Sequence, residues 1–382
     1  MKTLSPRERV ALTLNHQEPD RVPISLGGSA NHLTERRFLL LKDHFGFTVP
    51  ERRTLVGFYT TPDYNPLLEH LGTDMRFLHI RPPAGYISNP LLDGFQPFVD
   101  EWGLHHELVS GYYNMEGAPL ANLQSAAELD QFPWPDPTDP LRVAGLKEEV
   151  EHLYHNTPYA LVAHRPVYGN AWEMCRLLLG VERSLMMVAV EKELFRAVFD
   201  KISEVLDGFY DAFLDVIGPY VQIVEMAEDV GTNAGPMFNP KIYRDIMLPF
   251  HKRSVERIKK KAPGAKVMLH CDGAIQRFLP YFIEAGFEIL NPIEAHLPGM
   301  DPAKLKEDFG KDLVFMGGVD VKNVLTKGTR ADIRQEIRTR IEQMGHGGGY
   351  ILAPAHNFGD DIPLENMLYF FEDGKELGQY PL

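Results

Sequence analysis

From residue 159 to the C-terminus the chain repeats one rhythm: a short, apolar, partly β-branched stretch, then a helical one. The strand-like stretches are YALVAHRP (159–166), YVQIVEMAED (220–229), KVMLHCDG (266–273), FEILNPIEA (287–295), LVFMGGVD (313–320) and YILAPAH (350–356). Between them lie helical stretches such as the one from Val181 to about Val216, expected as two helices, IYRDIMLPFHKRSVERIKKK and TRADIRQEIRTRIEQMG. Strands alternating with helices imply a parallel sheet. Strand-like segments near residues 22 and 74 complete a set of eight, enough to close a (β/α)8 TIM barrel. An open doubly wound sheet would share the rhythm, but no GxGxxG turn follows the first strand, which argues against its dinucleotide-binding version. With 382 residues the chain accommodates the barrel as one domain, 1–382, carrying an N-terminal extension and an insertion.

The extension begins with a helix: Ser5 caps it, Pro6 suits its first turn, and Val10, Leu12 and Leu14 supply apolar positions. Residues 82–118 are rich in Gly, Pro, Asn and aromatics, with short alternating pieces, and read as inserted β-hairpins. Residues 119–140 read as a loop and 141–156 as an amphipathic helix.

A formal charge of −14 with no basic stripe excludes a nucleic-acid surface. The one basic run, Arg257 to Lys261, ends a helix, where cations suit the helix dipole. No apolar run approaches the ~20 residues that cross a bilayer. The first residues lack a signal-peptide core, so a cytoplasmic chain is expected. Two widely spaced cysteines, Cys175 and Cys271, make no disulfide framework.

In a TIM barrel the chemistry sits at the carboxyl ends of the strands. The polar residues there are His164, Glu225, Glu228, Asp229, His270, Asp272, Glu294, Asp320 and His356. LHCDG is the sharpest cluster. Residues two apart in a strand share a face, so His270 and Asp272 point together and Cys271 points away. Such a pair serves as two metal ligands, as an acid/base pair, or as a buried His beside a helix-capping Asp. His356 ends the last strand and either completes the site begun by His270 and Asp272 or is a polar lid on a loop formed with Asn357, Gly359 and Asp360. In EMAED, Glu225 and Asp229 share one face and Glu228 the other; each is a candidate ligand or general acid/base. Catalytic zinc takes three His, Cys or carboxylate ligands and keeps one position open, which fits this set. His164, Tyr168, Asn170, Trp172 and Phe358 are candidate walls of the substrate pocket, with packing the alternative for Trp172.

The segments EPDRVPIS, EDVGTNAGPMFNPKIYRDIMLP, HCDGAIQRFLPYFIEAGFEILNP, FMGGVD and YILAPAHN…PLENM resemble the uroporphyrinogen decarboxylase superfamily. The resemblance implies the (β/α)8 barrel independently of the strand count. One branch of that family is the cofactor-free decarboxylase of haem synthesis; the other is a set of zinc methyltransferases that exchange methyl groups with a corrinoid protein. The decarboxylase branch carries an N-terminal Arg-Gln-Ala-Gly-Arg-Tyr stretch whose arginines bind substrate carboxylates. Here the matching region reads SLGGSANHLTERR.

The methyltransferase branch presents His-x-Cys-Gly where this chain has His270-Cys271-Asp272-Gly273, and a Cys where it has His356. The ligand set that this likeness implies is His270, Asp272 and His356, with an acid from 225–229 as a fourth. Such a set is harder than a thiolate set and suits an ether or hydroxyl oxygen rather than a thiol. The expectation is a zinc methyltransferase, or O-demethylase, acting on a small methylated compound such as a methoxylated aromatic. No Asp-x-His-x-x-Gly corrinoid motif occurs, so the resemblance implies a separate corrinoid protein as partner. It also implies a homodimer. The alternative is a uroporphyrinogen decarboxylase-type carboxy-lyase.

Overall fold

A computed structural model describes every residue except 1–2, 30, 50–53, 57–58, 62–63, 84, 86–94 and 110–111. Its centre is a sheet of seven parallel strands paired in chain order. They are β1 (Met75–Leu78), β2 (Ala160–Ala163), β3 (Ile223–Ala227), β4 (Lys266–His270), β5 (Ile289–Asn291), β6 (Val314–Val319) and β7 (Tyr350–Pro354). The eighth position belongs to the segment near residue 22, which is bridged rather than laddered. Leu352 N–H donates to Pro23 O (2.8 Å) and Ser25 N–H to Leu352 O (3.0 Å) on the β7 side. On the β1 side Asp74 N–H donates to Ile24 O (3.0 Å). Pro23 has no N–H to give, so the expected eighth strand cannot run as a continuous ladder. It still joins β7 to β1 and closes the ring.

Strand alternation decides what the barrel holds. Met75, Phe77, Ala160, Val162, Ile223, Met268, Ile289, Val314, Met316, Ile351 and Ala353 point inward and form one apolar plug with Val10 and Leu14. Those two come from the N-terminal helix Pro6–Leu14, which closes the amino end of the barrel and is capped by Ser5 and Glu8. The opposite parity, including Leu161, Val224, Met226, Leu269, Leu290, Phe315 and Leu352, packs under the surrounding helices. Each buried side chain of this size contributes roughly 1.5–3 kcal/mol. Continuing the inward parity towards the carboxyl ends brings in His79, His164, Glu225, His270 and Asn291. The plug therefore ends in a polar layer, and that layer is the floor of the site.

Among the described residues of the 82–118 insertion, Phe98–Val99, His105–Val109 and Tyr112–Glu116 pair as a three-stranded antiparallel sheet; residues 84, 86–94 and 110–111 of that stretch lie outside the description. Trp102 anchors the sheet against Trp134 and Phe209. The helix expected over 141–156 is divided. A 3-10 turn at Pro140–Val143 gives way to a helix at Leu146–Asn156, because Gly145 takes φ +71°, a left-handed conformation that ends one element and starts the next. The stretch from Val181 forms two helices, Val181–Val190 and Lys192–Ile217. Among the described residues no helix is long and apolar enough to cross a membrane.

Candidate functional site

His270 is the last residue of β4, and Asp229 and Asp272 follow β3 and β4 by two residues each. Their loops meet backbone to backbone. A Cβ on Gly231 would lie 2.5 Å from Asp272 O, and one on Gly273 would lie 2.9 Å from Gly231 C. Only glycine permits that approach. The contact lets Asp272 N–H donate to Asp229 Oδ1 (2.9 Å) and Ala274 N–H to Thr232 O (2.9 Å).

The result is a compact donor cluster: Asp229, His270 and Asp272 each offer one ligand atom, all within 4.8 Å of one another. His270 Nε2 lies 3.9 Å from Asp229 Oδ1 and 3.7 Å from Asp272 Oδ2. Its other nitrogen, Nδ1, is 3.0 Å from Asn291 Oδ1. The Asn291 amide NH2 donates to Met316 O (3.3 Å), which leaves its oxygen to accept from Nδ1–H. With Nδ1–H given to Asn291, Nε2 is the ring nitrogen that faces the two carboxylates and is left to ligate a metal. Asp272 Oδ1 is buried without a hydrogen-bond partner. Burial, with Asp229 adding to it, pushes the Asp272 carboxyl up against the pull of His270. A cation at the cluster would satisfy the orphaned oxygen and favour the ionised carboxylate.

These residues line a cavity of about 110 Å³ with Arg165, Tyr168, Glu173, His356 and Asn357. His356 stands at its rim with a half-exposed side chain, its Nε2 3.7 Å from Asp272 Oδ2. It lies beside the compact cluster, and Asp229 is the acid from 225–229 that the cluster brings to His270 and Asp272. Cys271 points away from the cavity; burial pushes its thiol well up, which opposes a thiolate ligand.

The other expected site residues are divided. Glu225 and His164 sit below the cavity in the polar layer, hydrogen-bonded through His164 Nδ1 and Glu225 Oε2. Ser29 donates to the Glu225 carboxylate from both its N–H and its hydroxyl (3.3 Å each). Burial pushes Glu225 up and holds His164 neutral. Tyr168 is in the cavity wall. Asn170 caps the helix Ala171–Leu179. Trp172 is a correction: in the first turn of that helix it packs between Phe195 and Phe238, behind the sheet. Phe358 is another, turned into the core against Phe370 and Phe371.

Glu228 also leaves the cavity. It accepts from Trp172 N–H (3.1 Å) and from His251 Nε2 (3.0 Å), and Tyr243 OH meets His251 Nδ1 (2.7 Å). Burial pushes the His251 imidazole down to about 4. A histidine with a lowered folded pKa stabilises fully above its ordinary value of 6.5 and loses that contribution as the pH falls towards 4. The loss is about 3 kcal/mol. Glu228, pushed up to about 7, works in the opposite sense: its contribution is present at low pH and fades as the pH rises from 4.5 to 7. The comparison of wild type with His251→Gln therefore isolates the histidine. The variant is expected to lose distinctly less stability than wild type between pH 6.5 and pH 4 in urea unfolding; parallel profiles would contradict it.

Arg165, Glu173, Asn291 and Asn357 are site residues that the sequence did not single out. Arg165 had a signal, since it follows His164 at a strand end; Glu173 had one in the Asn170-x-x-Glu173 capping box.

Residues 114–377 match the family described as Uroporphyrinogen decarboxylase (URO-D). The chain belongs to this family. Uroporphyrinogen decarboxylase of Gloeobacter violaceus is 28% identical over 179 residues, covering 46% of this chain and 49% of that one. The enzyme of the same name from Actinobacillus succinogenes is 21% identical over 268 residues, covering 67% of this chain and 70% of its own. The match to the first of these curated relatives thus spans about half of its length. Among solved structures, a methyltransferase from Methanosarcina mazei superposes with a TM-score of 0.64 at 18% identity, over 98% of this chain and 99% of that one. At that identity the likeness is one of fold, and it extends over nearly the whole chain.

Proposed function

We propose that this URO-D family chain is a zinc-dependent methyltransferase that takes a methyl group from a small methylated compound, such as a methoxylated aromatic, and passes it to a separate corrinoid protein. The observation that supports it is the Asp229–His270–Asp272 cluster at the strand ends, with one buried carboxylate oxygen left unpartnered. Two carboxylates and an imidazole, with His356 at the rim, make a donor set that zinc accepts. Bound there, the metal would supply Lewis acidity towards a leaving oxygen or nitrogen. The chain's own groups do the rest. Asn291 holds His270 in the ligating tautomer. The Asp272 N–H orients the Asp229 carboxylate. Tyr168 and Arg165 line the same cavity, where the body of a substrate would be held.

A decarboxylase reading is favoured by the names of the curated relatives. The cavity opposes it. Arg165 is its one cationic side chain among the described lining residues, against three carboxyl groups. A substrate with eight carboxylates needs cationic partners. The chain is expected to release no coproporphyrinogen from uroporphyrinogen. Supplied with zinc, it is expected to convert a methoxybenzene and cob(I)alamin to the phenol and methylcobalamin, followed by the cobalamin absorbance. Coproporphyrinogen formation, or methyl transfer at an undiminished rate after zinc removal, would overturn the proposal.

A further inference from the structure

Glu228 is fully buried and lies behind the sheet, yet the side chain it meets reaches the cavity. The buried carboxyls of Glu228 and Glu173 are neighbours and act on one another electrostatically. Glu173 lines the cavity and accepts from two backbone amides, Asn170 N–H (3.1 Å) and Asp229 N–H. Glu228 accepts from Trp172 N–H and is met by His251, which Tyr243 holds from its other side. Three elements thus converge on one pair of carboxyls: the start of the helix Ala171–Leu179, the loop after β3, and the helix Leu248–Lys261 that carries His251. The connection continues into the donor cluster. Glu173 holds the backbone of Asp229, and the Asp229 carboxylate holds the backbone of Asp272.

We infer that Glu173, backed by Glu228, is a positioning residue of the metal centre: it fixes the Asp229 loop so that both aspartates meet His270. The inference rests on the metal reading above and deepens it. A ligand loop released from its hydrogen-bonded support must be ordered again at each binding event, and groups that orient metal ligands typically account for 10–100-fold in affinity. Glu173 is suited to the task because its carboxyl is itself immobile. It is buried, and besides the two amides and Glu228 it has Arg176 Nη2 3.6 Å from Oε1. An amide at 173 keeps an oxygen for Asp229 N–H and gives up only the bond from Asn170 N–H, where its NH2 takes the place of the other oxygen.

The test is zinc affinity of the full chain, measured by competition with a chromophoric chelator, with the visible spectrum of the cobalt(II)-substituted chain as a second readout. Glu173→Ala is expected to weaken zinc 10–100-fold while one site per chain remains. Glu173→Gln is expected to stay within about threefold of wild type and keep the cobalt spectrum. Glu173→Asp keeps the charge but withdraws it from the Asp229 amide, and is expected to behave as alanine does; it serves if the alanine variant fails to fold. Wild-type affinity in the alanine and aspartate variants would overturn the inference. So would a glutamine variant as weak as alanine, which would make Glu173 a ligand in its own right. Zinc uptake that is lost in Asp272→Asn but untouched at Glu173 removes this inference alone; a wild-type chain that takes up no zinc removes the metal reading with it.

Discussion

His270→Ala is expected to abolish stoichiometric zinc binding. Dialysed against zinc and then buffer, the wild-type chain should retain roughly one ion, and the variant almost none. The reason is geometric. His270 supplies the only imidazole nitrogen within 4.8 Å of both aspartates among the described residues. Asp272→Asn should act nearly as strongly, since it replaces the carboxylate ligand whose buried oxygen has no partner. Asn291→Ala leaves all three ligands in place but frees His270 Nδ1, so zinc should bind with affinity reduced 10–100-fold. His356→Ala should cost less than His270→Ala, because its half-exposed side chain approaches only Asp272. Cys271→Ser should change nothing, since that thiol is buried on the other side of the strand. Undiminished zinc in both His270→Ala and Asp272→Asn would sink the centre and leave acid/base chemistry without a metal as the alternative.

What could be read in the sequence followed from short-range geometry. Strand alternation set His270 and Asp272 on one face with Cys271 on the other, and set Glu228 apart from Glu225 and Asp229; the structure has that arrangement. The strand–helix rhythm led to the barrel, and alternating pieces near residue 100 led to an antiparallel insertion. What could not be read depends on contacts between distant segments. Glu173 reaches Asp229 across 56 positions, and Asn291 reaches His270 across 21. Nothing local marks either pair. Trp172 and Phe358 show the converse error. Each lies next to site residues in sequence, but a helix start turns one indole behind the sheet, and the pairing of Leu33 with Phe358 accompanies a phenyl ring turned into the core. Proximity in sequence at a strand end says which loop a residue is on, not which way it faces. The eighth strand misleads for a third reason: the apolar pattern is present, but Pro23 interrupts the donors a ladder needs.

The closure of the barrel at that position gives the second large prediction. Asp74 immediately precedes β1 and is fully buried. Its carboxylate accepts from Arg9 Nη1 (2.6 Å), Arg21 Nη1 and Nη2 (2.8 and 3.0 Å) and Ile24 N–H (2.7 Å). It therefore ties the N-terminal helix and the closing segment to the first strand at once. Arg9 is itself almost buried and is shared with Asp20. Asp74→Ala would leave two guanidinium groups facing an apolar side chain and an unpaired amide at Ile24. Removing one partner of a buried ion pair costs about 3–5 kcal/mol. That is a large part of the roughly 5–15 kcal/mol by which domains are stable. Asp74→Asn keeps an acceptor for the Ile24 amide but gives up the charge, so it should lose less than alanine and still fold. An exposed pair such as Lys304–Glu307 offers the contrast: Glu307→Ala should leave the urea midpoint almost unchanged. Equilibrium urea unfolding would order these variants. If Asp74→Ala unfolded at the same urea concentration as Glu307→Ala, the ion pairs would be incidental, and the ring would be held shut by the Pro23–Leu352 and Ile24–Asp74 backbone bonds alone.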